Sequence, residues 1–421
     1  RDFLRNHSIE QKRWKRSNLM CARMLTSRYD QNHPGLSARV ARHFMEGGQL
    51  PLAQMCLVEA LERERSTGLH SRVADVCEML ENTLKRSNVP DDDGIWVEVY
   101  GAHGRALLES SRGHDVATGR ELLERAVQIG RQTPPTAAFS RALAGLGLSY
   151  VGLSMAVRGL PLAKEGVESA PDDETRGECL LEMAEIYQGL QNHILALESA
   201  EIALALVTHP VRRARADLLI ARALLALDHP DTSKVIAEGL QLSEEFGFFI
   251  FAAQFHTLAG FVADAAGDFE KALDEHQNAL RIYKLFEPEA NLALEAAEHT
   301  ARALLQLKRA DEALTILLQL ERRLVGEDRH LDSQIYDAMM WASAAVRNWT
   351  HFERAYGRAF DFERSAPGMH HARAFRMTMD VLATRGEDAR MKRVALMSLE
   401  TLEGAPGLEK DWQYFRDLQG L

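Results

Sequence analysis

The sequence predicts an all-α protein, a right-handed α-α superhelix made of stacked antiparallel helix pairs. Three observations lead there. Ala, Leu, Glu and Arg fill the long stretches between the 12 prolines and 28 glycines, and all four are good helix formers. Apolar residues recur at three- and four-residue intervals almost everywhere, which places them on one helix face; no alternating Val, Ile or Thr segments bounded by hairpin turns occur, so a sheet is not expected. Finally, small residues return at a long interval: Gly147, Ala184, Ala221, Gly260, Ala301 and Ser343 lie about 37 to 42 residues apart. Repetition on that scale marks an array of units, none of which buries its apolar face alone.

Composition narrows the class. A chain of 421 residues suits two or three ordinary domains or one extended array. With 46% apolar and 26% charged residues it has material for a large core. The net charge of −11 disfavours a general coating of nucleic acid phosphates. The four cysteines, Cys21, Cys56, Cys77 and Cys179, have neither metal nor redox spacing. They argue against a disulfide-stapled secreted domain and for a reducing, cytoplasmic setting. No apolar stretch approaches the roughly 20 residues that span a bilayer; the longest runs from Phe248 to Ala253. No signal-peptide core is present, and the first residue, Arg1, leads us to expect a fragment or a processed chain.

Taken in order, residues 1–35 read as a basic junction. Arg1, Arg5, Lys12, Arg13, Lys15, Arg16, Arg23 and Arg28 face only Asp2, Glu10 and Asp30, on a helix expected from about Ser8 to Ser27 and ended near Asn32-His33-Pro34-Gly35. Such a run is more often a solvated face or interdomain contact than a nucleic acid surface. Residues 36–135 carry divergent helix pairs, 136–365 clear ones, and 366–421 a divergent terminal pair with a cap at Gly407 to Leu421. The clearest copy holds Leu258-Ala259-Gly260, Ala263, Gly267-Asp268-Phe269, Ala272 and Ala279. Gly260, Ala272 and Ala279 are expected where the two helices cross, and Gly267 in the turn, where glycine enters a left-handed conformation cheaply. The skeleton recurs in Leu146-Gly147 with Tyr150, in Met183-Ala184 with Tyr187, Ala196 and Ala203, and in Thr300-Ala301 with Leu304, Ala313 and Leu317. Weaker copies run through Ala41, Phe44, Gly48, Ala53 and Ala60, and through Ala342-Ser343, Val346, Ala355 and Ala359.

This pattern resembles the tetratricopeptide repeat (TPR) family over most of residues 36 to 400, with a period longer than the family's usual 34 or so. The segments Arg13-Trp14-Lys15-Arg16, Cys21-Ala22-Arg23-Met24-Leu25 and Leu36 to Phe44, followed by Gly47-Gly48, resemble the junction after the ATPase and winged-helix modules of bacterial STAND-type regulators. The family resemblance implies that a ligand lies in the groove lined by the first helix of each pair. Carried onto this sequence, the partner-binding candidates are Glu178, Glu185 and Gln188, then Arg215 and Arg222, then Gln254, Phe261 and Asp264. They continue as Glu295, His299 and Arg302, then Asp337, Arg347 and Asn348. The Lys/Asn/Arg clamp of chaperone-binding members is missing. The alternative for each of these residues is exposure without function, or occupation by the chain's own neighbours.

Catalytic signatures are lacking. There is no P-loop, nucleophile elbow or His-Glu-x-x-His, and Gly145, Gly147 and Gly152 lack dinucleotide spacing and serve helix packing instead. Asp91-Asp92-Asp93 and Asp172-Asp173-Glu174 follow prolines and precede helices, where acidic residues cap free amides and suit the dipole; magnesium binding is the weaker reading. His256, His276 and His299 are more simply packed than metal-bound, and His370-His371 is expected at an exposed helix start. Phe246, Phe248, Phe249, Phe251 and Phe255 form the densest aromatic patch, either an inter-repeat core or an exposed dock. The expectation is therefore a non-enzymatic scaffold without cofactor or metal, binding a protein or peptide and no membrane, and nucleic acid only through an upstream domain. A stand-alone peptide-sensing receptor is the first alternative; an all-helical metal-dependent enzyme is the second.

Overall fold

The computed structural model describes residues 13–28, 35–110, 113–151, 155–288, 291–324, 329–363, 369–402 and 409–419. Among these are 21 α-helices and no strand. The first six are α1 (Trp14–Arg28), α2 (Leu36–Glu46), α3 (Leu50–Arg65), α4 (His70–Arg86), α5 (Ile95–Ser110) and α6 (Gly113–Gly130). Then come α7 (Ala137–Ser149), α8 (Ala156–Ser169), α9 (Asp173–Gly189), α10 (His193–Leu206), α11 (Pro210–Ala226), α12 (Thr232–Phe246) and α13 (Phe249–Ala265). The rest are α14 (Phe269–Phe286), α15 (Asn291–Gln306), α16 (Ala310–Glu321), α17 (Arg329–Ala345), α18 (Trp349–Glu363), α19 (Met369–Thr384), α20 (Asp388–Leu402) and α21 (Glu409–Gln419).

Local chemistry sets many of the ends. Thr136, Asp172, Asn192 and Asp268 each accept a hydrogen bond from the backbone amide three residues on, which satisfies one of the free donors at a helix start. Asp93 accepts from the Ile95 amide, two residues on, at 2.9 Å, so one member of the acidic triplet caps the start of α5. Several of the turns hold a left-handed residue. It is glycine at Gly48, Gly247, Gly267 and Gly386, but Gln191, Asp228, Lys308 and Arg347 at equivalent turns.

Close crossing explains the small residues. A Cβ on Gly159 would lie 2.0 Å from the Gly147 carbonyl oxygen, and one on Gly104 would lie 2.5 Å from that of Gly119. In α7–α8 and α5–α6 the backbones themselves touch. Elsewhere the gap is filled by a ring: Phe255 covers Gly239, and the His276 imidazole lies against Gly260.

The chain divides into two compact units, residues 1–258 and 259–421, with the division inside α13. The segments expected from the sequence, bounded at 35, 135 and 365, follow repeat quality instead, since recurring small residues report how closely paired helices cross and not where contacts thin. In the first unit α5, α7, α9 and α11 pack in a row beside their partner helices; in the second, α15, α17 and α19 do so. These rows are the inner faces. The basic helix spans Trp14–Arg28, and its Lys15, Arg16, Arg23 and Arg28 face solvent. Residues 1–12, 29–34, 403–408 and 420–421, which hold the rest of the expected junction and cap, lie outside the described residues. Among the described residues no helix is long and apolar enough to cross a membrane.

The phenylalanine patch splits. Phe248, Phe251 and Phe255 are buried, while Phe246 and Phe249 are 49% and 44% exposed. The buried thiols of Cys77 and Cys179 are pushed up by desolvation and by neighbouring carboxylates.

Candidate functional site

In the first unit the inner face is a ladder of alternating charge. Arg65 Nη1 lies 2.7 Å from Glu98, and Arg141 bridges Glu98 at 3.0 Å and Glu178 at 3.3 Å. Arg212 then joins Glu178 at 2.5 Å and Glu174 at 2.8 Å. A second rung set runs deeper: Arg105 pairs with Glu109 at 2.5 Å and with Glu182 at 2.8 Å, and Arg215 takes Glu182 at 2.9 Å and Glu185 at 2.8 Å. Burial would raise Glu98 and Glu182, but the flanking guanidiniums hold both below the usual carboxylate range. Against a smaller burial cost, Thr208 and Arg212 bring Glu174 to about 2. At Gly145 an added Cβ would press on Leu123 of α6 at 3.3 Å and would only touch the Arg105 side chain, at 3.7 Å.

The same face is occupied by the chain itself. The turn after α3 inserts there: Arg65 reaches Glu98 on α5 and Glu178 on α9, at 3.7 Å for the latter. Gly68 lies against the Phe251 ring of α13 and near Val211 of α11, and Gly68 and Leu69 are buried. The C-terminal end of α3, at Arg65, thus lines the inner face.

Of the candidates expected in this unit, Glu178, Glu185 and Arg215 are ladder members. Gln188 Nε2 donates to the Leu219 carbonyl at 3.0 Å, and Arg222 donates to Gln254 Oε1 at 2.8 Å. All six are half-buried. Arg65, Glu98, Arg105, Arg141, Glu182 and Arg212 were missed. A signal existed: positions 65, 98, 141, 178 and 212 alternate in charge at repeat-length intervals.

In the second unit Phe261, Asp264, His299 and Arg302 gather around a cavity of about 50 Å³, joined by His276, Gln306, Trp341 and Met377. The Phe261, His276 and His299 rings stand 4.8–5.5 Å apart. Glu298, 1% exposed, pairs with Arg302 and lies 2.9 Å from His299 Nδ1. Burial opposes ionisation of Glu298, yet Arg302 and His299 bring it to about 2. His276 is pushed down to about 3 by desolvation and by His299. Asp337 is fully buried on α17, and Glu295 is half-buried on α15 outside the cavity wall. Arg347 and Asn348 do not lie on the inner face as expected. α17 ends at Ala345, Arg347 takes the left-handed turn position with φ 59°, and Asn348 accepts from the His351 amide at the start of α18. Counting on at helical spacing overran the helix end. Among the described residues no group of three or more His, Cys, Asp or Glu is arranged to hold a metal ion.

A Rap protein solved with competence and sporulation factor superposes with a TM-score of 0.55, covering 89% of this chain and 97% of that one at 12% identity. The fold is that of a tetratricopeptide-repeat array. A STAND protein with a tetratricopeptide repeat sensor from Pyrococcus horikoshii matches with a TM-score of 0.53 at 13% identity, over 92% of this chain and 55% of its own length. Human IFIT1, solved as a dimer with m7Gppp-AAAA, matches at 0.55 with 13% identity, over 93% and 90% of the two chains. At such identities the likeness is one of TPR-type architecture. No family model and no curated protein sequence matches the chain.

Proposed function

We propose that the chain is a non-enzymatic interaction module of a cytoplasmic regulatory protein, holding a protein or peptide partner on an inner face. The observation that carries this is the second-unit inner face. There, the first helices of successive pairs converge on a small cavity walled by aromatic and charged side chains. The Rap protein's complex with competence and sporulation factor and the sensor role of the Pyrococcus STAND repeats support the reading, since both use this fold. The first unit plays a different part. Its face is filled by its own ion pairs and by the Gly68 turn, which makes it a rigid platform. A nucleic acid partner, of the kind IFIT1 holds as m7Gppp-AAAA, needs an excess of Lys and Arg on the binding face, whereas here each ladder arginine is matched by a glutamate.

The test is selection of a displayed random-peptide library on the full chain, followed by hydrogen-exchange mapping of the peptides that bind. Protection is expected on α15, α17 and α19. Protection confined to α16, α18 and α20, or the recovery of no peptide, refutes the inner-face reading. Binding of single-stranded RNA in preference to peptide refutes the choice of partner.

A further inference from the structure

The walls of the second-unit cavity combine buried side chains, His276, Trp341 and Ala374, with half-buried ones, Phe261, Arg302 and Met377, so it opens toward solvent. Two polar atoms of these side chains are unpaired. His276 is 3% exposed, and its Nδ1 has no hydrogen-bond partner. Arg302 donates from Nε to Glu298, and its buried Nη2 has no partner either. Buried polar atoms are nearly always paired, and two orphans on the walls of one cavity call for a common explanation. Charge restricts what can pair them. The orphan on Arg302 is a donor, which a cation cannot satisfy. An added anion is disfavoured too, because Glu298 already forms the ion pair with this guanidinium and Asp337 and Asp264 also act on it. Burial and His299 push His276 down to about 3, so its ring is neutral at pH 7 and brings no further positive charge. What remains is a neutral group with both an acceptor and a donor. Size restricts it further. The cavity measures about 50 Å³, and one water needs about 10–15 Å³. It therefore holds roughly four atoms of that size, as many as a methylene with its carboxamide.

We propose that this cavity is a receptor site for one neutral primary carboxamide. Arg302 Nη2 donates to its carbonyl oxygen, and its N–H donates to His276 Nδ1, in the tautomer that carries the imidazole proton on Nε2. The Phe261 and Trp341 rings and Met377 supply apolar walls that keep water from competing for the two hydrogen bonds. A ketone or ester satisfies Arg302 alone, an amine satisfies His276 alone, and a purely apolar guest satisfies neither. Leaving a buried donor or acceptor unmade is what such a site penalises most. Gly260 completes the site: a Cβ there would lie 2.4 Å from the His276 ring, so only glycine lets the imidazole stand where it does.

The inference deepens the binding function proposed above by naming the chemistry recognised, and only its peptide arm rests on that function. The carboxamide has two possible sources, a small free amide or the Asn or Gln side chain of a partner. Calorimetry on the full chain with acetamide and with acetyl-Gly-Gln-Gly and acetyl-Gly-Asn-Gly N-methylamide peptides separates them. Saturable one-to-one binding of acetamide makes the site a small-molecule receptor; binding of a peptide alone makes it an anchor for a partner side chain. In the peptide arm, Glu or Met in place of Gln weakens binding by about tenfold or more. Arg302→Lys keeps a cation opposite Glu298 but removes Nη2, and it is expected to weaken either ligand by a similar factor. As a readout independent of any variant, the Arg302 guanidinium and His276 ring resonances of the unmodified chain shift on saturation with whichever ligand binds. The proposal is overturned if neither acetamide nor a peptide binds, or if the Glu or Met peptide binds as tightly as the Gln peptide. It is equally overturned if the two sets of resonances stay in place, which makes an ordered water only the occupant. A library selection that yields no peptide leaves the acetamide arm standing, so the two failures are distinguishable.

Discussion

At the scale of single residues, the inner faces are held by buried charge rather than by apolar contact. Glu182 is 8% exposed and shares its charge between Arg105 and Arg215. Removing one partner leaves a buried carboxylate short of compensation, which is far costlier than losing a surface pair. Arg215→Met is therefore expected to destabilise the chain by about 3 kcal/mol in urea unfolding; a loss below about 0.5 kcal/mol, the range of exposed pairs, refutes the ladder as a structural element. Titration supplies a second expectation. The folded His276 value of about 3 lies below its ordinary 6.5, so its neutral form is the one that folds. Its stabilising contribution is complete above pH 6.5 and is lost as pH falls toward 3, because the unfolded chain binds the proton first. Glu298 follows at lower pH, its contribution being lost between 4.5 and about 2. Asp217 has the opposite sign: burial raises it from 3.8 to about 6, so its contribution is present at low pH and lost as pH rises through 6. Hydrogen exchange in α14 and α15, corrected for intrinsic rates, is expected to speed up from pH 7 to pH 5. His276→Gln flattens that dependence; an unchanged slope in the variant assigns it elsewhere.

At the scale of elements, two kinds of glycine do different work. Gly267 is in the left-handed region at φ 76°, and nothing lies within 4 Å of where a Cβ would sit, so the cost of replacing it is purely conformational. Gly267→Ala is expected to cost about 1 kcal/mol. Lys308 occupies the equivalent turn at φ 61°, and Lys308→Gly is expected to gain a similar amount, about 1 kcal/mol. Thermal melts of the two variants moving in the same direction contradict this. Gly159 is different in kind: a methyl group there meets the Gly147 carbonyl oxygen and must drive α7 and α8 apart. Legibility in the sequence follows the same division. Gly147, Gly260 and Ala272 were readable as crossing points because the requirement for a small side chain is local to a helix pair. Arg347 and Asn348 were misplaced because the end of α17 depends on a left-handed turn that a lysine or arginine can also adopt.

At the scale of the molecule, the two units use their inner faces in different ways. The first is closed by its own α3–α4 turn, while the second retains the cavity. A side chain at Gly68 has to reach φ 72° and sits 3.1 Å from the Phe251 ring. Gly68→Val is therefore expected to expel the turn and to accelerate exchange on α5, α9 and α11 in the full chain. Unchanged protection there shows that the turn does not brace the ladder.

The sequence by itself determined the helical content, the pairing of helices and the crossing points, since each depends on residues within a few turns of one another. It also carried the alternating charges at positions 65, 98, 141, 178 and 212. Only the tertiary structure decided that these charges pair with each other, that the Gly68 turn fills one face, and that His276, Trp341 and Met377 meet around one cavity. The physical reason is distance along the chain. A helix pair is set by local packing, but a face is assembled from residues dozens to nearly two hundred positions apart, and their meeting depends on how successive pairs rotate on one another.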